Sequence, residues 1–75
     1  MKITGTSTYI NIEIEEKVVR ASGEFIRGGF VAYSDSMKEW EPPHQNEEFD
    51  ESVKLMIINT VTEYCKDKNF KVVFD

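Results

Sequence analysis

His44 and Cys65 are the residues best suited to nucleophilic or acid–base chemistry, and each residue type occurs once in this 75-residue chain. Nucleophilic catalysis needs a nucleophile, a base and an orienting group in contact. His44 follows Pro43 in a loop, whereas Cys65 falls in the apolar sector of a helical pattern, so we expect the two side chains to lie far apart. Cys65 is therefore predicted to be a small core residue. His44 is predicted to be a solvated loop residue, with contact to a partner as the alternative.

Carboxylates are the other abundant reactive groups, and the chain has 14 Asp and Glu residues. The acidic run Glu47–Glu51 does not follow the spacing of a calcium loop and lacks its mid-loop glycine. Arg27–Gly29 is better explained as a hairpin tip than as a phosphate-binding loop. A paired-carboxylate site, for instance Glu24 with Asp35, stays open as an alternative because a sequence does not show distance. We predict that the chain is not an enzyme and needs no metal or cofactor.

The stretch Trp40–Glu51, WEPPHQNEEFDE, contains the only Trp, both prolines, the only His and no Lys or Arg. Two interpretations are open. In the structural one, Trp40 folds over an open end of the core as a lid, and the carboxylates complement the positive end of a helix dipole. In the functional one, the stretch is a contact surface for a basic partner. The lack of an opposing positive charge makes this loop the first choice for the partner surface.

The net charge of −5 argues against a nucleic-acid partner, because phosphate binding requires an excess of Lys and Arg. It argues equally against an anionic membrane surface. A basic protein is the partner class that the charge favours, with simple solubility as the alternative. No apolar run is long enough for a signal peptide or a membrane span. With a single cysteine, this predicts a cytoplasmic location.

Period-two alternation predicts the first strands of the fold. Tyr9–Glu15, YINIEIE, is expected to be a strand with a row of Ile on its core face, preceded by a short extension at residues 3–4. Val18–Ile26 is expected to be a second strand. Its predicted core face is Val19, Ala21, Gly23 and Phe25. Gly23 indicates a bulge or a close backbone approach.

The turns and the third strand follow. The turn at Glu15–Lys17 lacks the usual Asn-Gly or Asp-Gly signal. By contrast, Gly28 and Gly29 are expected to form a type I′ hairpin turn with positive φ at both residues. Phe30–Tyr33 is apolar on both faces, which predicts a strand inside the sheet.

The pattern becomes helical from Asp50 to about Lys68, with Asp50 as the N-cap. The predicted apolar stripe is Val53, Met56, Ile57, Thr60, Val61 and Tyr64. Phe70–Asp75 then alternates as a final strand. The sequence predicts one α+β domain over residues 1–75, with the order β-β-β-α-β. Its sheet is expected to be mainly antiparallel, with the one long helix packed on one face.

Three segments carry a family resemblance that spans nearly the whole chain: GTSTYINIEI at Gly5–Ile14, SGEF at Ser22–Phe25, and GGFVAYSDSMKEWEPP at Gly28–Pro43. With the helix and last strand, they resemble a small immunity-protein family of bacterial polymorphic toxin systems, encoded beside toxins of contact-dependent inhibition. The Glu15–Lys17 turn departs from the glycine-containing turn expected in that family. The family's distinctive residues match Glu24, Tyr33, Asp35, Trp40 and Glu41.

The resemblance implies a cytoplasmic protein that binds a cognate toxin and neutralises it by occlusion, protecting the producing cell. Many such toxins are nucleases with basic grooves, which an acidic inhibitor would fit. A generic interaction module or homodimeric subunit, using a sheet edge or an uncovered sheet face, is the alternative, so we expect a monomer or a weak homodimer. Either the acidic loop or the open sheet face is expected to be the contact surface. The candidate partner-binding residues are Trp40, Glu41, His44, Glu47, Glu48, Glu24, Tyr33 and Asp35.

Overall fold

The structure, a computed structural model, describes all residues 1–75. Its elements are β1 (Lys2–Gly5), β2 (Tyr9–Ile14), β3 (Lys17–Ile26), β4 (Gly29–Ala32), a one-turn 3₁₀ helix (Ser34–Ser36), α1 (Glu51–Cys65) and β5 (Lys71–Phe74). The five strands form one sheet in the order β1-β2-β3-β4-β5, in which only the β4–β5 pair is parallel. The α+β class, the mainly antiparallel sheet and the single long helix on one face are confirmed. No helix is long and apolar enough to cross a membrane.

The observed order, β-β-β-β-α-β, has one strand more than the sequence predicts. Residues 3–4 are not an extension of β2 but part of β1, in which Ile3 lies opposite Ile12. A hydrogen-bonded turn reverses the chain between these strands. The Thr8 amide donates to the Thr6 hydroxyl oxygen, Oγ1, at 3.2 Å, and the Thr6 amide donates to the Tyr9 carbonyl at 2.8 Å. Such Ser/Thr turns are a weak signal in a sequence, which explains why this strand is missed.

Strand β3 belongs to both halves of the sheet. Its residues 17–22 pair with β2, and its residues 23–26 pair with β4. At the change of partner stands Gly23, where a Cβ atom would lie only 1.9 Å from the Val31 carbonyl oxygen. The close backbone approach predicted at Gly23 is confirmed. Beside the first half of β3, the Glu41 amide donates to the Val18 carbonyl at 2.7 Å, which ties the Trp40–Glu51 stretch to the sheet.

The two hairpin turns, at residues 15–16 and 28–29, differ from the prediction in which residues have positive φ. Gly28 has a φ of +77°, but Gly29 does not have positive φ and begins β4, so the prediction of two left-handed glycines is wrong for Gly29. The left-handed pair is instead Glu15 and Glu16, with φ values of +50° and +71°. This two-residue turn closes the β2–β3 hairpin between Ile14 and Lys17, although neither glutamate has glycine's conformational freedom.

Helix α1 packs one row of side chains, Ile57, Val61 and Cys65, against the sheet. Asp50 is the N-cap, because its Oδ1 accepts from the Val53 amide at 3.0 Å, and its predicted role is confirmed. The helix ends at Cys65, three residues before the predicted Lys68. Lys71 of β5 occupies that end, since its Nζ donates to the carbonyls of Cys65 and Lys66 at 2.7 and 2.6 Å.

The buried core is smaller than the sequence patterns predict. Its members are Ile10, Ile12, Val19, Ala21, Phe30, Ala32, Met37, Trp40, Ile57, Val61, Cys65 and Val72. Phe25 is predicted on the core face but is 59% exposed, and it lines an open cleft beside Tyr64 and Phe70. Met56 and Tyr64 are also exposed although they belong to the predicted apolar stripe. A short helix on a narrow sheet covers a narrower strip than a helical pattern suggests.

Candidate partner-binding surface

Half of the acidic residues of the chain lie between residues 35 and 51, namely Asp35, Glu39, Glu41, Glu47, Glu48, Asp50 and Glu51. The fold gathers part of this segment at the N-terminal end of α1. A shallow cleft of about 470 Å³ there is lined by Asp35, Phe49, Asp50, Glu51 and Lys54, among others. The 3₁₀ helix thus brings Asp35 beside the first turn of α1. We call this region, residues 35–51 with the side chains that contact it, the acidic end.

Trp40 has the position of a lid. Its ring is 3% exposed and meets the Phe49 ring edge to face, with 5.4 Å between centroids. The indole Nε1 donates to the Glu48 carbonyl at 3.3 Å, which satisfies the only polar atom of the side chain. In this conformation the Trp40 ring offers almost no surface to a partner. Its burial accounts for the residue without an interface, and a direct contact with a partner stays a prediction.

Glu47 is bound from two sides. Lys17 Nζ lies 2.6 Å from Glu47 Oε1, and His44 Nδ1 lies 2.5 Å from Glu47 Oε2. The hydrogen bonds from Lys17 and then from His44 hold the pKa of Glu47 below its ordinary value. The expectation that no positive charge opposes this loop is therefore wrong, because Lys17 arrives from β3. His44 is half-buried against Glu47 rather than freely solvated.

Glu48 and Asp50 are neighbours of like charge. The hydrogen bond with Asp50 and its negative charge raise the pKa of the Glu48 carboxyl. Asp50 shows the opposite shift, since its bond from the Val53 amide lowers its pKa. Lys38 and Lys54 line the same cleft as Asp50, and Lys54 Nζ lies 3.6 Å from Glu51 Oε1. Negative charge at the helix N-terminus is favoured by the backbone amides.

Three candidate carboxylates at the acidic end form no ion pair: Asp35, Glu41 and Glu48. Asp35 and Glu48 are exposed, and Glu41 is half-buried. Lys38 and Lys54 line the same cleft as Asp35, but no cationic nitrogen lies within ion-pair distance of these three carboxylates, in contrast to Glu47. They form the part of the acidic end that is free to meet a basic surface.

Glu24 and Tyr33 form a separate group on the sheet face that α1 leaves open. The Tyr33 hydroxyl donates to Glu24 Oε2, and this bond is the main cause of the raised pKa of Tyr33, with the charge of Asp75 adding to it. Glu24 lies opposite Val31 in the β3–β4 register, which alternates with the core-facing residues of both strands. The structure therefore divides the eight candidates between two places. Glu24 is bonded to Tyr33 while Asp35 lines the acidic cleft, and no hydrogen bond joins the two carboxylates of the suggested Glu24–Asp35 pair.

Lys17 is the residue at this surface that sequence analysis missed. It lies 30 positions before Glu47 in the chain, and its Nζ is also 5.3 Å from the centroid of the Trp40 ring. The sequence signal that could have identified Lys17 is its position: it is a single lysine at the start of β3, directly after the two glutamates of the turn. No group of three or more His, Cys, Asp or Glu side chains is arranged to hold a metal ion.

Comparison with known proteins gives one match. Residues 2–75 match a family model described as Immunity protein 74, so the match runs from β1 to the end of the chain and includes both candidate groups. No curated protein and no solved structure matches the chain.

Proposed function

The chain belongs to the Immunity protein 74 family, and we propose that it binds a cognate bacterial toxin and neutralises it by occlusion, which protects the producing cell. The observation that carries this proposal is a family match that covers every strand and the helix. Inhibition by occlusion requires a complementary surface and no catalytic group, which agrees with a chain whose His and Cys lie apart. We place the interaction in the cytoplasm, where a chain with a single, buried cysteine is stable without disulfides.

A basic toxin is the partner that the acidic end supports best. Asp35, Glu41 and Glu48 lack ion pairs, and the chain as a whole carries a charge of −5. Complementary charge raises association rates and excludes like-charged competitors. A nuclease with a basic substrate groove is the toxin class with this character, because any enzyme that binds nucleic acid must present cations to phosphates.

Co-expression tests this function directly. The candidate to test is a toxin with a variable C-terminal domain, if a neighbouring gene encodes one, and a native pull-down analysed by mass spectrometry identifies the partner independently. The chain is expected to restore growth to cells that express this domain and to form a stable complex with it. An unrelated acidic protein of similar size serves as the control. If growth is not restored and no complex forms, the proposal is wrong.

A homodimeric subunit is the second candidate function, and the open sheet face is the observation that favours it. Ile26, Tyr33 and Val73 are exposed apolar side chains, and alternation along the strands places them on that face beside Val31. Exposed apolar patches commonly mark interfaces. Light scattering over a range of concentrations separates the candidates: a mass that stays monomeric at high concentration excludes the dimer.

A further inference from the structure

A second cleft lies at the opposite end of α1, where no candidate residue was predicted. Its volume is about 600 Å³, within the range of binding sites for small groups. It is lined by the exposed rings of Phe25, Tyr64 and Phe70, by the buried side chains of Ile10 and Phe30, and by Lys68. We call these six residues and the space between them the aromatic cleft.

The aromatic side chains of this cleft are poorly covered by the protein itself. Phe25 is 59% exposed and Phe70 is 42% exposed. Their main aromatic partner is each other, in an edge-to-face contact with 6.2 Å between centroids. Isolated exposed apolar residues are ordinary, but three exposed aromatic rings that line one concave site are not. Such rings supply much of the energy of protein interfaces, because a partner that covers them removes a large apolar area from water.

The single charge in the lining restricts which ligands the cleft can accept. Lys68 is the one charged residue that lines the cleft, and no carboxylate lines it. Lys68 Nζ lies 4.7 Å from the Tyr64 ring centroid and forms no ion pair. This combination favours an apolar group with an anion beside it. It disfavours a second copy of this chain docked cleft to cleft, because two unpaired lysines would then face each other.

Strand β1 makes the cleft suitable for an extended peptide. Ile3, Thr4 and Gly5 of β1 line one side of it. Because β1 is one of the two edge strands of the sheet, the backbone groups on its outer side have no partner strand within the chain. An extended segment that adds to such an edge gains backbone hydrogen bonds and directs alternate side chains into an adjacent pocket.

We propose that the aromatic cleft anchors the toxin. An extended segment of the toxin pairs with β1, packs one large apolar side chain against the exposed rings of Phe25 and Phe70, and places a carboxylate next to Lys68. This proposal rests on the proposed function, since the occupant is the toxin itself. The acidic end then governs how fast the complex forms, and the aromatic cleft governs how slowly it dissociates, because apolar anchors act mainly on the dissociation rate.

A pair of dyes tests the chemistry of the cleft without any toxin. Anilinonaphthalene sulfonate carries an anion beside its rings, whereas N-phenylnaphthylamine has the same rings and no charge. Phe70→Ser is expected to weaken both dyes, and Lys68→Met is expected to weaken only the sulfonate, each by about tenfold or less. Leu55→Ser and Lys66→Met are the matched controls, since Leu55 is 57% exposed outside the cleft. Equal affinities in the wild type and in both cleft variants would overturn the assigned chemistry.

The toxin domain that co-purifies with this chain tests the occupant. Phe25→Ser and Phe70→Ser are expected to raise the dissociation rate by about tenfold or more and to change the association rate little. Leu55→Ser should leave both rates unchanged. Amide hydrogen exchange in β1 is expected to slow when the toxin binds. Circular dichroism of each variant verifies its fold.

The outcomes separate this proposal from the proposed function. If the wild type binds the toxin and both cleft variants dissociate at the wild-type rate, the anchor is wrong and the function stands. If the rates change but β1 exchange does not, the pairing with an extended segment is wrong. If the wild type does not bind the toxin domain, both proposals fail together.

Discussion

The two ends of α1 differ in how completely their side chains are partnered. At the acidic end, Trp40 is buried against Phe49, Glu47 is bound by Lys17 and His44, and Asp50 caps the helix. At the aromatic cleft, the rings remain exposed and Lys68 has no carboxylate. Both ends are unusual surfaces, but for opposite reasons.

This difference teaches how to interpret an unusual stretch of sequence. Trp40 and the acidic loop stand out in the sequence, yet the fold itself accounts for most of them: a lid, a cap and an ion pair. Phe25 and Phe70 look like ordinary core residues in the sequence, yet the fold leaves them uncovered. Carboxylates in water carry no penalty, whereas exposed rings do. The aromatic cleft is therefore the stronger structural indication that a partner is missing.

Truncating Trp40 should have the largest effect and should show that the acidic end is structural. Trp40→Ala removes a buried ring and leaves a cavity beside Phe49, which we expect to cost about 3–5 kcal/mol. For a 75-residue domain that loss is a large part of the free energy of unfolding. Urea denaturation followed by circular dichroism measures it.

The matched comparison is Phe70→Ala at the other end. Because that ring is already 42% exposed, its removal should lower the free energy of unfolding much less than Trp40→Ala does. Similar losses for the two variants would contradict the contrast between a partnered end and an unpartnered one.

The Glu15–Glu16 turn places two negative charges directly before Lys17, and both glutamates have the strained left-handed backbone conformation. Left-handed geometry disfavours residues that have a Cβ. Replacing the pair by Asn-Gly, the preferred type I′ sequence, is expected to raise the free energy of unfolding by about 1 kcal/mol. The change should be visible as a higher urea midpoint.

A double replacement by Gln provides the control for this turn. It removes the same two charges and keeps the strained backbone. Should Gln-Gln stabilise the protein as much as Asn-Gly, repulsion between the charges and not the backbone would be the cause. The Asn-Gly variant is also expected to associate more slowly with a basic toxin, because it lacks the charge of the glutamates.

Local patterns predict the elements better than their boundaries or their exposure. The alternation in β2, the apolar β4 inside the sheet, the Asp50 cap, the buried Cys65 and the family resemblance are all confirmed. Strand β1 is missed because its turn depends on threonine hydroxyls. Phe25 is exposed although the alternation of β3 predicts it on the core face, and the Lys17–Glu47 pair joins residues 30 positions apart. These features depend on how segments distant in the sequence pack together. The periodicity within a single segment carries no information about that packing.

Reversing the charge of the unpaired carboxylates tests whether the acidic end controls the association rate. Glu41→Lys with Glu48→Lys is expected to slow association with the basic toxin by about tenfold at low salt and to reduce the salt dependence of the rate. Glu47 is left unchanged, since its substitution would also break the pair with Lys17. Stopped-flow fluorescence over a salt series measures both quantities, and Glu63→Lys, far along the helix, is the control. An unchanged association rate would remove the acidic end from the encounter surface.

The smallest expected effect is on the free energy of unfolding when the ion pair between Lys17 and Glu47 is removed. The bonds from Lys17 and His44 lower the folded-state pKa of Glu47, so the ionised carboxylate stabilises the fold. This contribution is present above the unfolded pKa of about 4.3 and is lost as the pH falls through the lower, folded value. Lys17→Met should therefore be less stable than the wild type at neutral pH, and the urea midpoints of the two should converge in acid. Lys66→Met, at the other end of α1, should show no such pH-dependent gap. A gap for Lys17→Met that stays constant at every pH would mean that Lys17 acts by packing over the Trp40 ring and not through its charge.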